Sequence, residues 1–136
     1  MNKAIYKLLM PLLLCGTVVH ANPITRDYIY DVDVVSVYDG DTLNVDIDLG
    51  FSIWIRDKSL RLYGIDTPEV RGQTREQGLA VRDWLRQRID QGENILIQSI
   101  SDQPDKYGRY LAILYIDGVN INRLLIDEGL ARPYNP

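Results

Sequence analysis

Cysteine and histidine are all but missing. The 136 residues hold one of each, Cys15 and His20, and both stand within the first 21. Long apolar runs are missing as well. The only candidate, Leu8 to Val19, is about 12 residues, is broken by Pro11, and falls short of the roughly 20 a bilayer span needs. Lys3 and Lys7 precede that run and Val19-His20-Ala21 closes it, the layout of a secretory signal peptide over residues 1–21 cleaved after Ala21. The expected mature domain, residues 22–136, would then carry neither cysteine nor histidine. It would be secreted or periplasmic, with no membrane attachment after cleavage. Disulfide scaffolds, thiolate nucleophiles, imidazole catalysis and zinc sites are all excluded for such a domain. Its chemistry must run on carboxylates, guanidinium, lysine, hydroxyls and backbone, and any metal should be a hard cation held by oxygen. Positive charge is scarce too. The formal net charge is −4, and it becomes −6 without Lys3 and Lys7, which argues against a general polyanion binder.

What is present reads as one compact domain without repeats or low-complexity segments. Tyr28 to Val37 is rich in β-branched and aromatic residues, and Thr42 to Leu49 alternates Leu43, Val45, Ile47 and Leu49 with Asn44, Asp46 and Asp48. Asp39-Gly40 between them signals a hairpin turn. A further turn near Gly50 leads to Ile53-Trp54-Ile55 and on to a third strand through Arg61. The hairpin holding Phe51, Ile53 and Trp54 is expected to add barrel packing. The period then becomes helical. Thr74 and Gln77 are spaced as a capping box, Val81, Trp84, Leu85 and Ile89 form one face, and Gly92 suits a stop. Ile95 to Ile100 and Tyr110 to Ile116 read as strands, and Asn120 can cap a short helix ending at Gly129. The expected fold class is α+β and mainly β: a five-stranded OB-type barrel with a helix after the third strand and a short C-terminal helix.

Three segments carry candidate chemistry. Asp39-Gly40-Asp41-Thr42 is by itself an ordinary turn, and it lacks the Asx spacing and closing Glu of an EF-hand. In Ile65-Asp66-Thr67-Pro68-Glu69, Pro68 holds Thr67 extended and ends the strand, so two carboxylates bracket the Thr67 carbonyl. That is an oxygen-rich corner suited to a hard cation, or a plain polar strand end. Asp105-Lys106-Tyr107-Gly108-Arg109 is, taken singly, a turn into the last strand. Arg61 and Asp66 lie an odd number of residues apart, so a regular strand would point them to opposite faces. A site shared by both predicts an irregularity at Gly64.

Taken together, VYDGDT (37–42), RLYGIDTPE (61–69), DKYGR (105–109) and NINRLLIDEGLA (120–131) closely resemble the thermonuclease, or staphylococcal-nuclease-like, family. The resemblance implies that Asp41, Asp66 and the Thr67 carbonyl bind one Ca²⁺. It implies that Glu69 activates or orients the attacking water and that Arg61 and Arg109 hold the phosphate. Lys106 and Tyr107 match nucleotide-contacting positions, and Tyr134 only loosely so. The implied activity is hydrolysis of DNA and RNA phosphodiesters with little sequence preference, leaving 3′-phosphates, by a monomer. A non-catalytic domain of the same fold, binding nucleic acid or a protein partner, is the alternative. The acid excess predicts weak substrate affinity with a shallow salt dependence.

Overall fold

The computed structural model describes residues 27–135. The signal-peptide expectation for residues 1–21 lies outside them. Among the described residues, no helix is long and apolar enough to cross a membrane.

The chain runs β1 (Ile29–Val37), β2 (Thr42–Asp48), β3 (Trp54–Leu62), β4 (Ile65–Asp66), a 3₁₀ turn (Gly72–Thr74), α1 (Arg75–Gln91), β5 (Ile95–Ser99), β6 (Tyr110–Ile116), β7 (Val119–Asn120), α2 (Ile121–Asp127) and β8 (Arg132–Pro133). Strands β3-β2-β1-β5-β6 are hydrogen-bonded in that order, antiparallel throughout. Parallel pairing of β3 with β6 then closes the ring. This is the expected five-stranded OB-type barrel with two helices. Closure leaves the barrel itself no free edge.

Alternation decides which residues fill it. Leu43 and Val45 of β2, Leu60 and Leu62 of β3, Ile97 of β5, and Ala112 and Leu114 of β6 are all buried. Val81 and Leu85 from α1 and Ile121 and Leu125 from α2 close the core. Each such Leu, Ile or Val contributes about 1.5–3 kcal/mol by leaving water.

Several local devices differ from the sequence reading. The turn between β1 and β2 spans residues 38–41, with the Tyr38 N–H donating to the Thr42 carbonyl at 2.9 Å. Gly40 is needed there for space. A Cβ at that position would lie 2.5 Å from Val81 Cγ1 and 2.8 Å from Thr67 Cγ2. The capping box is absent: Thr74 sits at φ −95°, ψ 9°, outside the extended conformation a capping residue needs, its hydroxyl donates to the Glu69 carbonyl at 3.2 Å, and the helix end has no side-chain cap. Gly92 ends α1 in an extended conformation, φ −80°, where a Cβ would strike Ile116. Asn120 does cap α2, accepting the Arg123 N–H at 2.9 Å, and Gly129 follows at φ +71°. The β2–β3 hairpin adds no packing at its tip, since Phe51 is 98% exposed and Ile53 55%.

The expected irregularity after Arg61 is present. Strand β3 stops at Leu62, the chain turns through Tyr63 and Gly64 at φ +76°, and β4 begins at Ile65. Asn122 pins this turn. Its buried amide donates to the carbonyls of Tyr63 (2.9 Å) and Ala112 (3.1 Å) and accepts the Leu114 N–H (3.0 Å).

Candidate active site

The turn at Gly64 is what lets Arg61 and Asp66 meet. With the chain folded back there, Arg61 NH2 lies 3.7 Å from Asp66 Oδ1 while its NH1 lies 3.2 Å from Asp41 Oδ2. The guanidinium is held by a further bond to its neighbour's carbonyl, NH1 donating to Leu62 O at 2.9 Å. Its side chain is only 12% exposed. Arg61 therefore stands between the two aspartates.

Asp41 is the hub. Its Oδ2 accepts the Thr67 N–H at 2.8 Å and the Thr67 hydroxyl at 3.0 Å, and its Oδ1 accepts the Thr42 hydroxyl at 3.2 Å. Its backbone carbonyl accepts the Leu62 N–H at 2.8 Å. One buried residue thus ties the β1–β2 turn to β3 and to the end of β4. Arg109 joins through Thr42, its NH1 donating to that hydroxyl at 3.3 Å. Asp105 aligns Arg109, accepting from Nε at 2.9 Å and from the backbone N–H at 3.0 Å. Burial alone would raise the Asp105 carboxyl, yet hydrogen bonds from Arg109 and the Tyr107 N–H outweigh it and hold it below the usual carboxylate range.

Two depressions flank this cluster. One, about 340 Å³, is walled by Arg61, Lys106, Tyr107, Arg109 and Tyr134. The Lys106 ammonium and the Arg109 guanidinium stand 5.0 and 5.2 Å from the Tyr107 ring centre. The other, about 580 Å³, is walled by Asp66, Thr67, Pro68, Glu69, Leu130 and Arg132. Asp66 belongs to both neighbourhoods, touching Arg61 on one side and lining the larger pocket on the other. Glu69 is exposed and lines that larger pocket, whereas Arg61 and Arg109 line the smaller one. Its backbone is clamped between the Thr74 hydroxyl and α1, where Gly78 presses on the Glu69 carbonyl so closely that no Cβ would fit.

Asp41, Arg61, Asp66, Thr67 and Arg109 are thus drawn together, Lys106 and Tyr107 border them, and Glu69 enters from the neighbouring pocket. Among the described residues no three acidic, His or Cys side chains gather as a cation cage. Both aspartates are paired with arginines instead: Asp41 with Arg61, and Asp66 with Arg61 and Arg132. The donor set still fits a hard cation in kind, being oxygen only. Asp39, buried beside Asp41, accepts the Asp41 N–H on Oδ1 at 3.0 Å and adds negative charge. Burial first, and repulsion from Asp41 second, push the Asp39 carboxyl up to about 6.

Four contributors escaped the sequence reading: Asp39, Gly78, Asn122 and Arg132. The Asp-Gly-Asp spacing was a signal for the first. Arg132 had none, because only the pairing of β8 with β4 brings it to Asp66.

A closed five-stranded barrel with an arginine–carboxylate cluster where strand β3 ends defines an OB-type domain with a charged site. The comparison with known proteins is specific. Residues 59–136 match the model of the family described as staphylococcal nuclease homologue. The chain is 33% identical to a thermonuclease of Staphylococcus hyicus over 102 residues, 73% of this chain and 56% of that protein. It is 34% identical to a thermonuclease of Staphylococcus intermedius over 102 residues, again 73% of this chain and 56% of that protein. It is 31% identical to the SPbeta prophage-derived endonuclease YokF of Bacillus subtilis over 105 residues, 75% of this chain and 33% of that protein. The chain belongs to the staphylococcal nuclease family. It spans about half the length of the two thermonucleases it matches.

Proposed function

We propose that this domain is a Ca²⁺-dependent nuclease that hydrolyses phosphodiester bonds of DNA and RNA with little sequence preference, leaving 3′-phosphates. The observation that carries the reading is the Arg61 guanidinium set between Asp41 and Asp66, with Arg109 reaching the same corner through Thr42. Membership of the family and the names thermonuclease and endonuclease borne by relatives support it.

In this reading Asp41, Asp66 and the Thr67 carbonyl hold one Ca²⁺, which when bound supplies charge to polarise the phosphoryl group. Arg61 and Arg109 bind the phosphate, since a planar fork matches two phosphate oxygens and donates to charge developing on them. Both are pre-aligned, Arg61 by the Leu62 carbonyl and Arg109 by Asp105, so little rotamer freedom is lost on binding. Glu69 takes the proton of the attacking water. With no imidazole among the described residues, a carboxylate is the base available near neutral pH. Lys106 and Tyr107 contact the adjoining nucleotide, the ring offering a stacking face. The acid excess gives weak affinity with a shallow salt dependence. In the same reading residues 1–21 act as a signal peptide, and the domain works as a monomer, secreted or periplasmic.

The pairing of both aspartates with arginines favours a second reading: a non-catalytic domain that binds nucleic acid or a protein partner. Incubating single-stranded DNA with the purified protein in Ca²⁺, in Mg²⁺ and in chelator separates the two. The nuclease reading expects cleavage with Ca²⁺ that chelator abolishes. Retention of intact strand by folded protein in every condition selects the second reading.

A further inference from the structure

Strand β8 is only two residues long, yet it delivers a charge to the centre of the site. It pairs antiparallel with β4, placing Pro133 opposite Ile65 and Arg132 opposite Asp66, and the Tyr134 N–H donates to Gly64 O at 2.9 Å. Arg132 directs both Nε (2.8 Å) and NH2 (2.6 Å) at one oxygen of Asp66, Oδ2. The other oxygen faces Arg61. Each oxygen of Asp66 is thus claimed by an arginine.

The two arginines are not equivalent. Arg61 is 12% exposed and tied to a backbone carbonyl, whereas Arg132 is 78% exposed. A pair so open to water holds weakly, so Arg132 is the partner that can leave. It also lines the pocket that Glu69 faces. The titratable groups lining that pocket are Asp66, Glu69 and Arg132, so without Arg132 an entering phosphodiester would meet only carboxylates there.

We propose that Arg132 is a further substrate-binding residue of this site: its guanidinium competes with a bound cation for Asp66 Oδ2 and, once off that oxygen, serves as a phosphate-facing fork in the Glu69 pocket. The inference rests on the calcium-dependent nuclease reading. It makes opposed demands on one side chain, because removing Arg132 should strengthen cation binding and weaken substrate binding together. A residue that merely held β8 in place would weaken both.

The test uses wild-type protein, Arg132→Ala and Arg132→Lys, with Ca²⁺ affinity measured by titration calorimetry and KM and kcat measured on single-stranded DNA. Arg132→Ala is expected to bind Ca²⁺ about two- to fivefold more tightly, the range of an exposed ion pair. Its KM should rise about three- to tenfold, the loss of a charged hydrogen bond at an exposed position. Arg132→Lys should recover part of the KM loss but not the fork. Unchanged or weaker Ca²⁺ binding in Arg132→Ala, or an unchanged KM, overturns the proposal while leaving the nuclease reading in place. Absence of Ca²⁺ binding by wild-type and variants alike removes the cation reading, and this inference with it.

Discussion

Replacing Asn122 with alanine tests how the site turn is held. Asn122 is 5% exposed and makes three bonds, accepting from Leu114 N–H and donating to the carbonyls of Tyr63 and Ala112. The Ala112 carbonyl keeps a partner in the variant, the Tyr63 N–H at 2.8 Å. The Leu114 N–H and the Tyr63 carbonyl lose theirs. A buried polar group left unsatisfied costs about 1–3 kcal/mol; the Leu114 N–H is buried and the Tyr63 carbonyl half-buried, so the loss is at most about 3 kcal/mol. That is a large share of the roughly 5–15 kcal/mol that stabilises a typical domain. In a domain of this size it lowers Tm by about 10–15 °C. Urea unfolding followed by circular dichroism should show the midpoint falling with the slope unchanged. Asn122→Asp is the sharper control. It keeps the acceptor for Leu114 but turns a carboxylate toward two carbonyl oxygens, so it should destabilise at least as much. A loss below about 1 kcal/mol in both variants would refute the claim that this side chain anchors the turn at Gly64.

Further outcomes follow from the same geometry. Asp39, with its carboxyl pushed up to about 6 by burial and by Asp41, binds a proton in the folded state over a range where the unfolded chain has lost it. Stability should therefore fall as pH rises from about 4 to about 6, by on the order of 2 kcal/mol, and Asp39→Asn should remove that slope in melts across the range. An unchanged slope would contradict the assignment. Gly78→Ala would ordinarily favour a helix by nearly 1 kcal/mol. Here its Cβ meets the Glu69 carbonyl and lies 2.7 Å from Pro68 O, so the variant should instead lose about 1–3 kcal/mol and shift the Glu69 segment. A stabilised variant, read by thermal melting, would show that α1 does not press on that segment.

The barrel was legible because its signals are local. Alternation in Thr42 to Leu49 and the helical period of Val81, Leu85 and Ile89 depend only on neighbours in sequence, and Asn120 announced its own cap. The bend at Gly64 was legible from parity, since Arg61 and Asp66 cannot share a face of a straight strand. What failed depended on tertiary partners. Thr74 had the spacing of a capping box, but its backbone (φ −95°, ψ 9°) is not in the extended conformation of a capping residue, and its hydroxyl is turned toward the Glu69 carbonyl. The turn at Gly40 is where the sequence put it, but its need for glycine comes from Val81 and Thr67 crowding that position, which no local signal shows. Phe51 was expected to pack, but the hairpin carries it beyond the barrel. In the site itself, Asp41, Arg61, Asp66 and Arg109 converge through the barrel closure, whereas Arg132 and Asn122 reach it by pairings no spacing rule foretells.

The central claim is that a carboxylate performs the proton transfer of a phosphodiester hydrolysis at this corner. The most direct measurement compares single-turnover cleavage of single-stranded DNA by wild-type protein and Glu69→Gln in saturating Ca²⁺, with substrate affinity measured alongside. The account predicts Ca²⁺-dependent cleavage that Glu69→Gln slows by about 10²–10⁴, the scale of a lost general base, with little change in affinity. Equal rates in the two proteins would contradict it.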